Sequence, residues 1–388
     1  MWEIIQAQQK EIAALKAQQQ TTEQKVEATG QAVEQTVQAV EEAALQTAST
    51  PSWAERTKVG GYGELHYNNL ETESGEDINE IDFHRFVLFF GHEFNDRIRF
   101  FSELEIEHSG VEPGEINGAV ELEQAYIDFD INDSLTARGG LFLVPVGIIN
   151  ETHEPPTFYG VERNIVETRI IPSTWWEGGA ALNGRFGSGF SYDLALTSGL
   201  ATPTDGDDAY VIRDGRQFVS EAVANDPAYT GRIKYTGIPG LELAATLNYQ
   251  ADLTQGLGPT GTSSDGLLFE THAIWQRGPF GLRALYAQWS LDGEAPEALG
   301  REEQVGWYVE PSYKINSKFG LFARYSSVDR AAGSNAPADT ELTEFDAGLN
   351  YYPHEDVVLK FDYVTQDGGE GDGFDPVDGF NLGIGYQF

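Results

Sequence analysis

The residues in this sequence that could do chemistry are mostly charged, and their spacing does not suggest an enzyme. Seven histidines, at positions 66, 84, 92, 108, 153, 272 and 354, form no HExxH or other paired motif. The sequence also contains no Gly-x-Ser-x-Gly elbow and no phosphate-binding loop. We therefore predict a protein that is not an enzyme, with no cofactor and no metal site. A serine–histidine pair assembled across strands is the alternative left open.

Basic side chains recur on the face of the predicted strands that also carries polar residues. We predict that they line a pore, with two more on a long connection: Arg99, Arg138, Arg185, Arg232, Lys234, Arg283, Arg324 and Lys360, with Arg163 and Arg169 on the connection. Fixed charges along a pore concentrate ions of opposite sign. The chemistry predicted from these residues is therefore electrostatic selection.

Acidic residues share the same predicted face and are at least as numerous. They include Glu103 and Glu105, and also Glu64, Glu107, Asp193, Glu242, Glu270, Glu310, Asp346 and Asp362. Two interpretations stay open. Either the basic residues guide anions, or opposite charges pair across the wall and keep the interior wet. A preference for cations is the further alternative.

The elements that must position these charges are strands. In the last segment Phe380, Leu382, Ile384, Tyr386 and Phe388 alternate with small or polar residues, which is the period of a strand with one apolar face. Segments of about ten such residues are long enough to span a bilayer at a tilt. We predict sixteen: 58–69, 80–94, 97–108, 119–131, 135–147, 175–186, 189–199, 228–237, 241–250, 267–277, 280–291, 303–315, 319–328, 341–352, 356–366 and 378–388.

The connections between these strands are predicted to alternate in length. Asn95-Asp96 and Gly278-Pro279 are tight turns, whereas the intervening connections are long and rich in Asp, Glu, Gly and Pro. An all-β, antiparallel up-and-down barrel of about 16 strands over residues 58–388 has this arrangement, with both barrel ends on the short-turn side. A soluble β-sandwich is the main rival, and it would bury the apolar face between two sheets. No apolar run is long enough for a membrane helix.

The first 50 residues have a different pattern. They are rich in Ala, Gln and Glu, and a seven-residue repeat predicts a coiled-coil helix over residues 1–50, with its seam at Ile5, Ile12, Val26, Val33 and Val40. Residues 51–57 are the predicted linker. An unpaired amphipathic or frayed helix is the alternative, because the companion column of the seam is partly polar.

The net charge of −38 argues against a nucleic-acid partner, because neutralising phosphates requires clustered Lys and Arg. Many of the acids fall in the predicted long connections, for example Asp205, Asp207, Asp208 and Asp214. There they either bind divalent cations that bridge to lipopolysaccharide or are simply solvated. The sequence does not choose between these two roles.

Three stretches resemble the phosphate-selective porin O and P family. Residues 140–164 and 171–179 resemble its third-loop region, residues 60–67 resemble its first strand, and Tyr386-Gln387-Phe388 resembles the terminal aromatic signal of outer-membrane proteins. The resemblance implies a homotrimer of 16-stranded barrels in the bacterial outer membrane, each with a third loop, 148–174, folded into the lumen. The N-terminal extension resembles that of the dicarboxylate-specific porins, whereas the dense basic ladder of the phosphate-specific members is not found here.

The expected function is passive diffusion of small hydrophilic solutes, with a leaning towards anions such as dicarboxylates or phosphate that rests on the resemblance. The expected partners are other copies of the chain, outer-membrane lipid and lipopolysaccharide, the solutes, and a cell-wall or periplasmic component that the coiled coil contacts in the periplasm. No secretory signal is visible at Met1-Trp2-Glu3, so we expect a signal peptide that this chain does not include. The alternative is a structural role, in which the coiled coil tethers the outer membrane to the cell wall and the barrel is its anchor.

Overall fold

The computed structural model describes residues 52–112 and 116–388, together with the single positions Trp2 and Val37. The chain divides into two units, Met1–Arg56 and Thr57–Phe388, and the fold below is that of the second. The predicted coiled coil falls on residues outside the described ranges, and so does its seam at Ile5, Ile12, Val26, Val33 and Val40. Among the helices of the described part, none has the length and apolarity needed to cross a membrane.

Sixteen antiparallel strands form a closed barrel in which each strand pairs with the next and the first pairs with the last. The strands are β1 Thr57–Thr72, β2 Asp77–Asn95, β3 Ile98–Glu107, β4 Val120–Asn132, β5 Leu135–Leu143, β6 Trp176–Phe186, β7 Phe190–Thr197, β8 Ala228–Tyr235, β9 Leu241–Gln250, β10 Gly266–Arg277, β11 Phe280–Leu291, β12 Glu303–Lys314, β13 Phe319–Asp329, β14 Glu341–His354, β15 Val357–Gly368 and β16 Val377–Gln387. The closed up-and-down sheet and its sixteen strands confirm the predicted barrel.

Smaller elements lie in the connections. A hairpin of two-residue strands, Val111–Glu112 and Ile116–Asn117, follows β3. Helix α1, Val166–Arg169, lies between β5 and β6, and helix α2, Glu294–Ala298, lies between β11 and β12. Three 3-10 turns complete the set at Pro155–Thr157, Ile212–Gly215 and Glu370–Asp372.

The connections sort by length as predicted, with one exception at the long-loop end. The connection between β1 and β2 is only residues 73–76, because both strands continue past their predicted ends. The predicted end of β5 at residue 147 is also wrong. That strand stops at Leu143, since Pro145 lacks the N–H that a central strand would donate.

The barrel wall is apolar on its exposed face and polar on its buried face. In β9 the side chains of Leu243, Leu247 and Tyr249 are exposed, whereas Asn248 and Gln250 on the opposite face have an exposed fraction of 0%. A β-sandwich has the reverse arrangement, because it hides its apolar face between sheets. The exposed apolar belt is therefore the lipid-facing wall of a membrane barrel, and the sandwich alternative is excluded.

The barrel closes where the chain ends. The backbones of Gly61 and Phe388 exchange two hydrogen bonds, of 3.0 Å and 2.9 Å, beside the ladder that joins β1 to β16. A Cβ on Gly61 would meet the carbonyl oxygen of Val87 on β2 at 2.2 Å. Only glycine lets the backbones of β1 and β2 approach this closely. At the closure itself, a Cβ on Gly60 would meet the carbonyl oxygen of Phe388 at 2.8 Å.

An apolar cluster lies against the buried face of the wall. It joins the connection between β5 and β6, residues 144–175, to inward side chains of β11 and β12 such as Leu285, Trp289 and Tyr308. The indole Nε1 of Trp289 donates a hydrogen bond of 3.0 Å to the carbonyl oxygen of Ile170. We call residues 144–175 the third connection, and its contacts fix one side of the barrel interior.

Candidate functional site

The third connection is held by a buried carboxylate, that of Glu167 on α1. This carboxylate accepts hydrogen bonds from the backbone N–H groups of Ile148 and Ile149, both at 2.6 Å, and from the hydroxyl of Tyr308 on β12 at 2.9 Å. The amide of Asn164 donates a further bond of 3.1 Å. Burial raises the pKa of Glu167, and the hydrogen bonds oppose that rise. One side chain therefore ties both ends of the third connection to the wall.

A second attachment joins the third connection to β1 and β15. The Glu162 carboxylate contacts the His66 imidazole at 2.9 Å and accepts a hydrogen bond from the Asn68 amide at 3.1 Å, both on β1. The Val161 backbone N–H donates to the carboxylate of Asp362 on β15. Removal from water alone would raise the pKa of Glu162, but the interaction with His66 outweighs it and holds that pKa at about 2. Glu162 is therefore ionised at neutral pH.

Four arginines meet between the third connection and the connection between β7 and β8, residues 198–227, which we call the fourth connection. The Arg213 guanidinium donates to the carbonyl oxygens of Thr168 at 3.0 Å and Ser173 at 2.8 Å. The Arg216 guanidinium donates to the Thr174 carbonyl oxygen at 2.9 Å. We call Arg163, Arg169, Arg213 and Arg216 the arginine cluster.

The arginine cluster is held by neutral groups. The Nη1 of Arg163 donates to the Thr174 hydroxyl at 2.8 Å, while its buried Nε and Nη2 have no hydrogen-bond partner among the described residues. Burial and the charges of Arg216, Arg169 and Arg163 lower the pKa of Arg213 to about 9. Arg213 is therefore protonated at neutral pH, and the cluster keeps a concentrated positive charge.

A cavity of about 360 Å³ lies beside this cluster. Arg163, Arg169 and Arg213 line one part of it, and the wall residues Glu344 and Asp346 line another. Arg324 on β13 is buried in the same wall, where it contacts Asp346 at 2.6 Å and Glu310 at 3.2 Å. The cavity thus has a mainly cationic side made by the connections and a side of mixed charge made by the strands, where Arg85 and Arg324 lie among the acids.

The strands bring most of the predicted basic residues against carboxylates. Arg99 contacts Asp130 at 2.9 Å, Arg138 contacts Asp128 at 2.8 Å, and Lys234 contacts Glu242 at 3.2 Å. Arg232 is buried between Asp193 at 2.7 Å and Glu151 of the third connection. These contacts favour the interpretation in which opposite charges pair along the wall.

Three other predicted residues lie elsewhere. Arg185 is exposed on β6 and, with Arg99, Arg232 and Lys234, lines a cavity of about 750 Å³ at the short-turn end. Arg283 donates to the Thr157 carbonyl oxygen at 2.7 Å. Lys360 is buried with its Nζ 3.5 Å from the centre of the Phe158 ring, a cation–π contact. The structure therefore does not bring the predicted basic residues into one group.

The predicted acids Glu103 and Glu105 are buried on β3. Glu103 accepts a hydrogen bond of 2.6 Å from Gln124 and lies 3.4 Å from the imidazole of His153, which belongs to the third connection. Glu105 lies 3.4 Å from the guanidinium of Arg85 on β2. Both acids thus neighbour groups that the sequence interpretation left out.

Arg213 and Arg216 are functional candidates that the sequence did not reveal. They stand near Asp205, Asp207, Asp208 and Asp214 in a segment without strand periodicity, where the sequence pattern drew attention only to the acids. The usable signal was the pair of arginines three residues apart beside the 3-10 turn Ile212–Gly215, since a turn of that kind faces both side chains the same way. His66 and Arg85 were missed because only the pairing of β1 with β2 brings them together. Glu162 was missed because it reaches β1 from the third connection.

The fold and these contacts define a class. A closed barrel of sixteen strands with an apolar outer wall and a long connection packed against its inner face is the architecture of a bacterial outer-membrane porin. The family model of "Phosphate-selective porin O and P" matches residues 58–371. The chain therefore belongs to the phosphate-selective porin O and P family.

The chain also has a curated relative. An uncharacterized protein of Aquifex aeolicus (strain VF5) is 33% identical over 337 residues, which cover 80% of this chain and 75% of the relative.

Two solved structures share the fold. The outer membrane channel DcaP of Acinetobacter baumannii is similar with a TM-score of 0.59 and 16% identity, over 86% of this chain and 97% of that one. An anion-selective porin from Comamonas acidovorans is similar with a TM-score of 0.61 and 12% identity, over 86% of this chain and 99% of that one. The family and the barrel place the protein in the bacterial outer membrane.

Proposed function

We propose that this porin lets small hydrophilic solutes diffuse passively across the outer membrane and that it prefers anions, with dicarboxylates or phosphate as the expected solutes. The observation that carries the proposal is the arginine cluster, three of whose members line the 360 Å³ cavity. The third connection, residues 148–174 in particular, is proposed to be the constriction of the lumen. The anion-selective porin of similar fold adds support.

The physical basis of the preference is positive charge that no carboxylate of the described residues contacts at ion-pair distance. Fixed charges of one sign in a cleft with low-dielectric walls raise the local concentration of counter-ions by about 10- to 1,000-fold. Arg213 and Arg216 are bonded to backbone carbonyl oxygens, which hold the guanidinium groups in place but carry no net charge. A solute anion would supply the missing negative charge.

Arg163 gives the site its hydrogen-bonding chemistry. Its Nε and Nη2 are buried without partners among the described residues, and an N–H left unpaired away from water is costly. A carboxylate or phosphate group accepts two parallel hydrogen bonds from one guanidinium group. Binding has to stay weak for passage, and the acids across the cavity, Glu344 and Asp346, would oppose tight retention of an anion.

A cation-preferring general porin is the second candidate. The wall side of the same cavity is lined by Glu64, Glu344, Asp346 and Asp362, and the net charge of the chain is −38. Many of these acids contact basic groups of the wall, as Asp346 does with Arg324, so their field in the lumen is reduced. We therefore rank this candidate below the anion porin.

Assembly is proposed from the family resemblance. We propose a homotrimer of barrels, with the N-terminal helix as a coiled coil in the periplasm, resembling the dicarboxylate-specific porins. Deleting residues 2–48 is expected to leave trimers held by the barrel walls, measured as the mass of the detergent complex by light scattering. Complete loss of trimers would contradict the assignment of trimer contacts to the walls.

Planar bilayers test the solute preference. In a tenfold KCl gradient the wild-type channel is expected to give a reversal potential of the sign for chloride, and Arg163→Ala is expected to shift it towards potassium. Arg277→Ala removes the same charge from an exposed position at the end of β10 and is the matched control. Cation preference unchanged by Arg163→Ala would defeat the anion proposal, and the absence of any conductance would defeat the diffusion channel.

Solute identity is tested by block. Succinate and phosphate, added separately at millimolar concentration, are expected to reduce the chloride current of the wild-type channel more than that of Arg163→Ala. Equal inhibition of the two channels would show that neither anion binds the arginine cluster.

A further inference from the structure

Three histidines meet near the long-loop end of β1–β3. The rings of His66 on β1 and His84 on β2 are stacked with their centres 4.6 Å apart. The ring of His108, which directly follows β3, stands perpendicular to that of His84 at 5.5 Å. The backbone N–H of His108 donates to the His84 carbonyl oxygen at 3.2 Å. The pairing of β1 with β2 and of β2 with β3 therefore brings these three histidines close together.

Asp82 lies between two of these histidines. Its carboxylate is 3.0 Å from Nδ1 of His84 and 2.8 Å from Nδ1 of His108. One ligand atom from each residue lies within 4.8 Å of the others. The side chains of Asp82, His84 and His108 have exposed fractions of 21%, 27% and 42%, so solvent and dissolved ions reach them. His66 differs, because it is buried between Glu64 and Glu162.

The turn after β3 positions the His108 ring. His108 and Ser109 have φ angles of 46° and 68°, a left-handed conformation that residues other than glycine seldom adopt. The connection bends there and places the His108 imidazole beside Asp82. The arrangement is thus part of the fold and does not depend on a chance contact between long flexible side chains.

We propose that Asp82, His84 and His108 form a binding site for a divalent transition-metal ion of the Zn²⁺, Ni²⁺ or Cu²⁺ class. Two imidazole nitrogens and one carboxylate oxygen are donors that such ions prefer, whereas Ca²⁺ and Mg²⁺ prefer oxygen donors alone. A tetrahedral ion with bonds of about 2.0 Å holds its ligand atoms about 3.3 Å apart. The spacings of 2.8 and 3.0 Å between the carboxylate and the two nitrogens need only a small expansion to accept it.

The position of the site gives the ion a role in the channel. His84 also lines the 360 Å³ cavity beside the arginine cluster. Its ring stacks on His66, which contacts Glu162 of the third connection. An ion bound here would bridge β2 to the connection after β3 and add positive charge at the rim of the cavity.

Calorimetric titration of the detergent-solubilised full chain with Zn²⁺ tests the site. The wild type is expected to bind one Zn²⁺ per chain at this site, and His108→Ala and Asp82→Asn are each expected to weaken that binding at least tenfold, roughly the loss that altering a single supporting contact of a metal site can cause. His354→Ala is the matched control. It removes a more exposed histidine from the end of β14, where His354 contacts Asp356.

Competition between Zn²⁺ and Mg²⁺ is a second test of the proposed site. A hundredfold excess of Mg²⁺ is expected to leave Zn²⁺ binding unchanged, because Mg²⁺ binds poorly to imidazole nitrogen. Absence of saturable Zn²⁺ binding in the wild type, unchanged affinity in both site variants, an equal loss in His354→Ala, or displacement by Mg²⁺ would each overturn the proposal. Heat-modifiable migration on a gel shows that each variant has kept the folded barrel.

Discussion

The wall arginines and the connection arginines of this barrel differ in what surrounds their charge. Arg138 on β5 lies against the Asp128 carboxylate at 2.8 Å, and Arg324 contacts Asp346 at 2.6 Å. Arg213, on the fourth connection, is bonded instead to the carbonyl oxygens of Thr168 and Ser173. A carboxylate cancels most of the field of a neighbouring cation, whereas a carbonyl group only orients it. The two regions are therefore expected to contribute unequally to selectivity.

The same contrast appears in how the two regions are stabilised. The wall is built from a continuous ladder of backbone hydrogen bonds that closes between β1 and β16. The third connection depends on a few side chains, chiefly Glu167, Glu162 and the apolar cluster around Trp289. Single substitutions are thus expected to move the connection while the barrel stays closed.

The largest expected effect is on the anchor of the third connection. Glu167→Ala leaves two backbone N–H groups and the Tyr308 hydroxyl without their acceptor. Each buried donor without a hydrogen-bond partner lowers the stability by about 1–3 kcal/mol. We expect the connection to leave its position and the single-channel conductance to rise. Glu167→Gln keeps one acceptor oxygen and is expected to raise the conductance less. Unchanged conductance in Glu167→Ala would show that the connection does not limit the current.

An effect of intermediate size is expected at acidic pH, where protonation of Glu162 weakens the attachment of the third connection. Its folded-state pKa of about 2 lies below the ordinary value of 4.5. Its contribution to stability is therefore fully present above about pH 4.5 and is lost as the pH falls through 2. Current noise from the connection is expected to stay low down to pH 3.5 and to increase below pH 2.5. Glu162→Gln should show the noisy behaviour already at pH 7, and a quiet variant would contradict the anchoring role.

The smallest expected effect is on a wall pair. Lys234 contacts Glu242 at 3.2 Å, and both side chains are partly exposed, so the pair contributes about 0–1 kcal/mol. Lys234→Ala is expected to change the anion-to-cation permeability ratio by less than about twofold, because the Glu242 carboxylate left behind is partly exposed and is screened by water and salt. The double variant Lys234→Ala with Glu242→Gln should return to the wild-type ratio. If Lys234→Ala shifted the permeability ratio more than Arg163→Ala does, the proposed difference between the wall and the connection arginines would be contradicted.

Much of the barrel could be predicted because the pattern that forms its strands lies in residues close together in the sequence. Alternation such as that of Phe380, Leu382 and Ile384 follows from having lipid on one face and polar side chains on the other. Tight turns such as Gly278-Pro279 then mark the strand ends. Two boundaries were predicted wrongly. β5 ends early because Pro145 interrupts the strand, and the connection between β1 and β2 is short because both paired strands extend beyond the alternating pattern.

The site was less predictable because it depends on contacts between distant segments. Arg213 donates hydrogen bonds to the carbonyl oxygens of Thr168 and Ser173. No periodic pattern in the sequence of the fourth connection predicts these hydrogen bonds. His84 and His108 stand far apart in the sequence and meet through the pairing of β2 with β3. Long connections take their shape from packing against the wall. Which of their residues come together can therefore be predicted only when the structure of the wall is known.

Reversal potentials of paired variants in one tenfold KCl gradient test the central claim most directly. Arg163→Ala with Arg213→Ala removes two charges of the arginine cluster, and Arg99→Ala with Arg138→Ala removes two wall charges that face Asp130 and Asp128. We predict that the first pair lowers the anion-to-cation permeability ratio by roughly tenfold, the lower bound for charge focusing in a cleft, and that the second pair changes it much less. Equal shifts from both pairs, or a larger shift from the wall pair, would contradict the account.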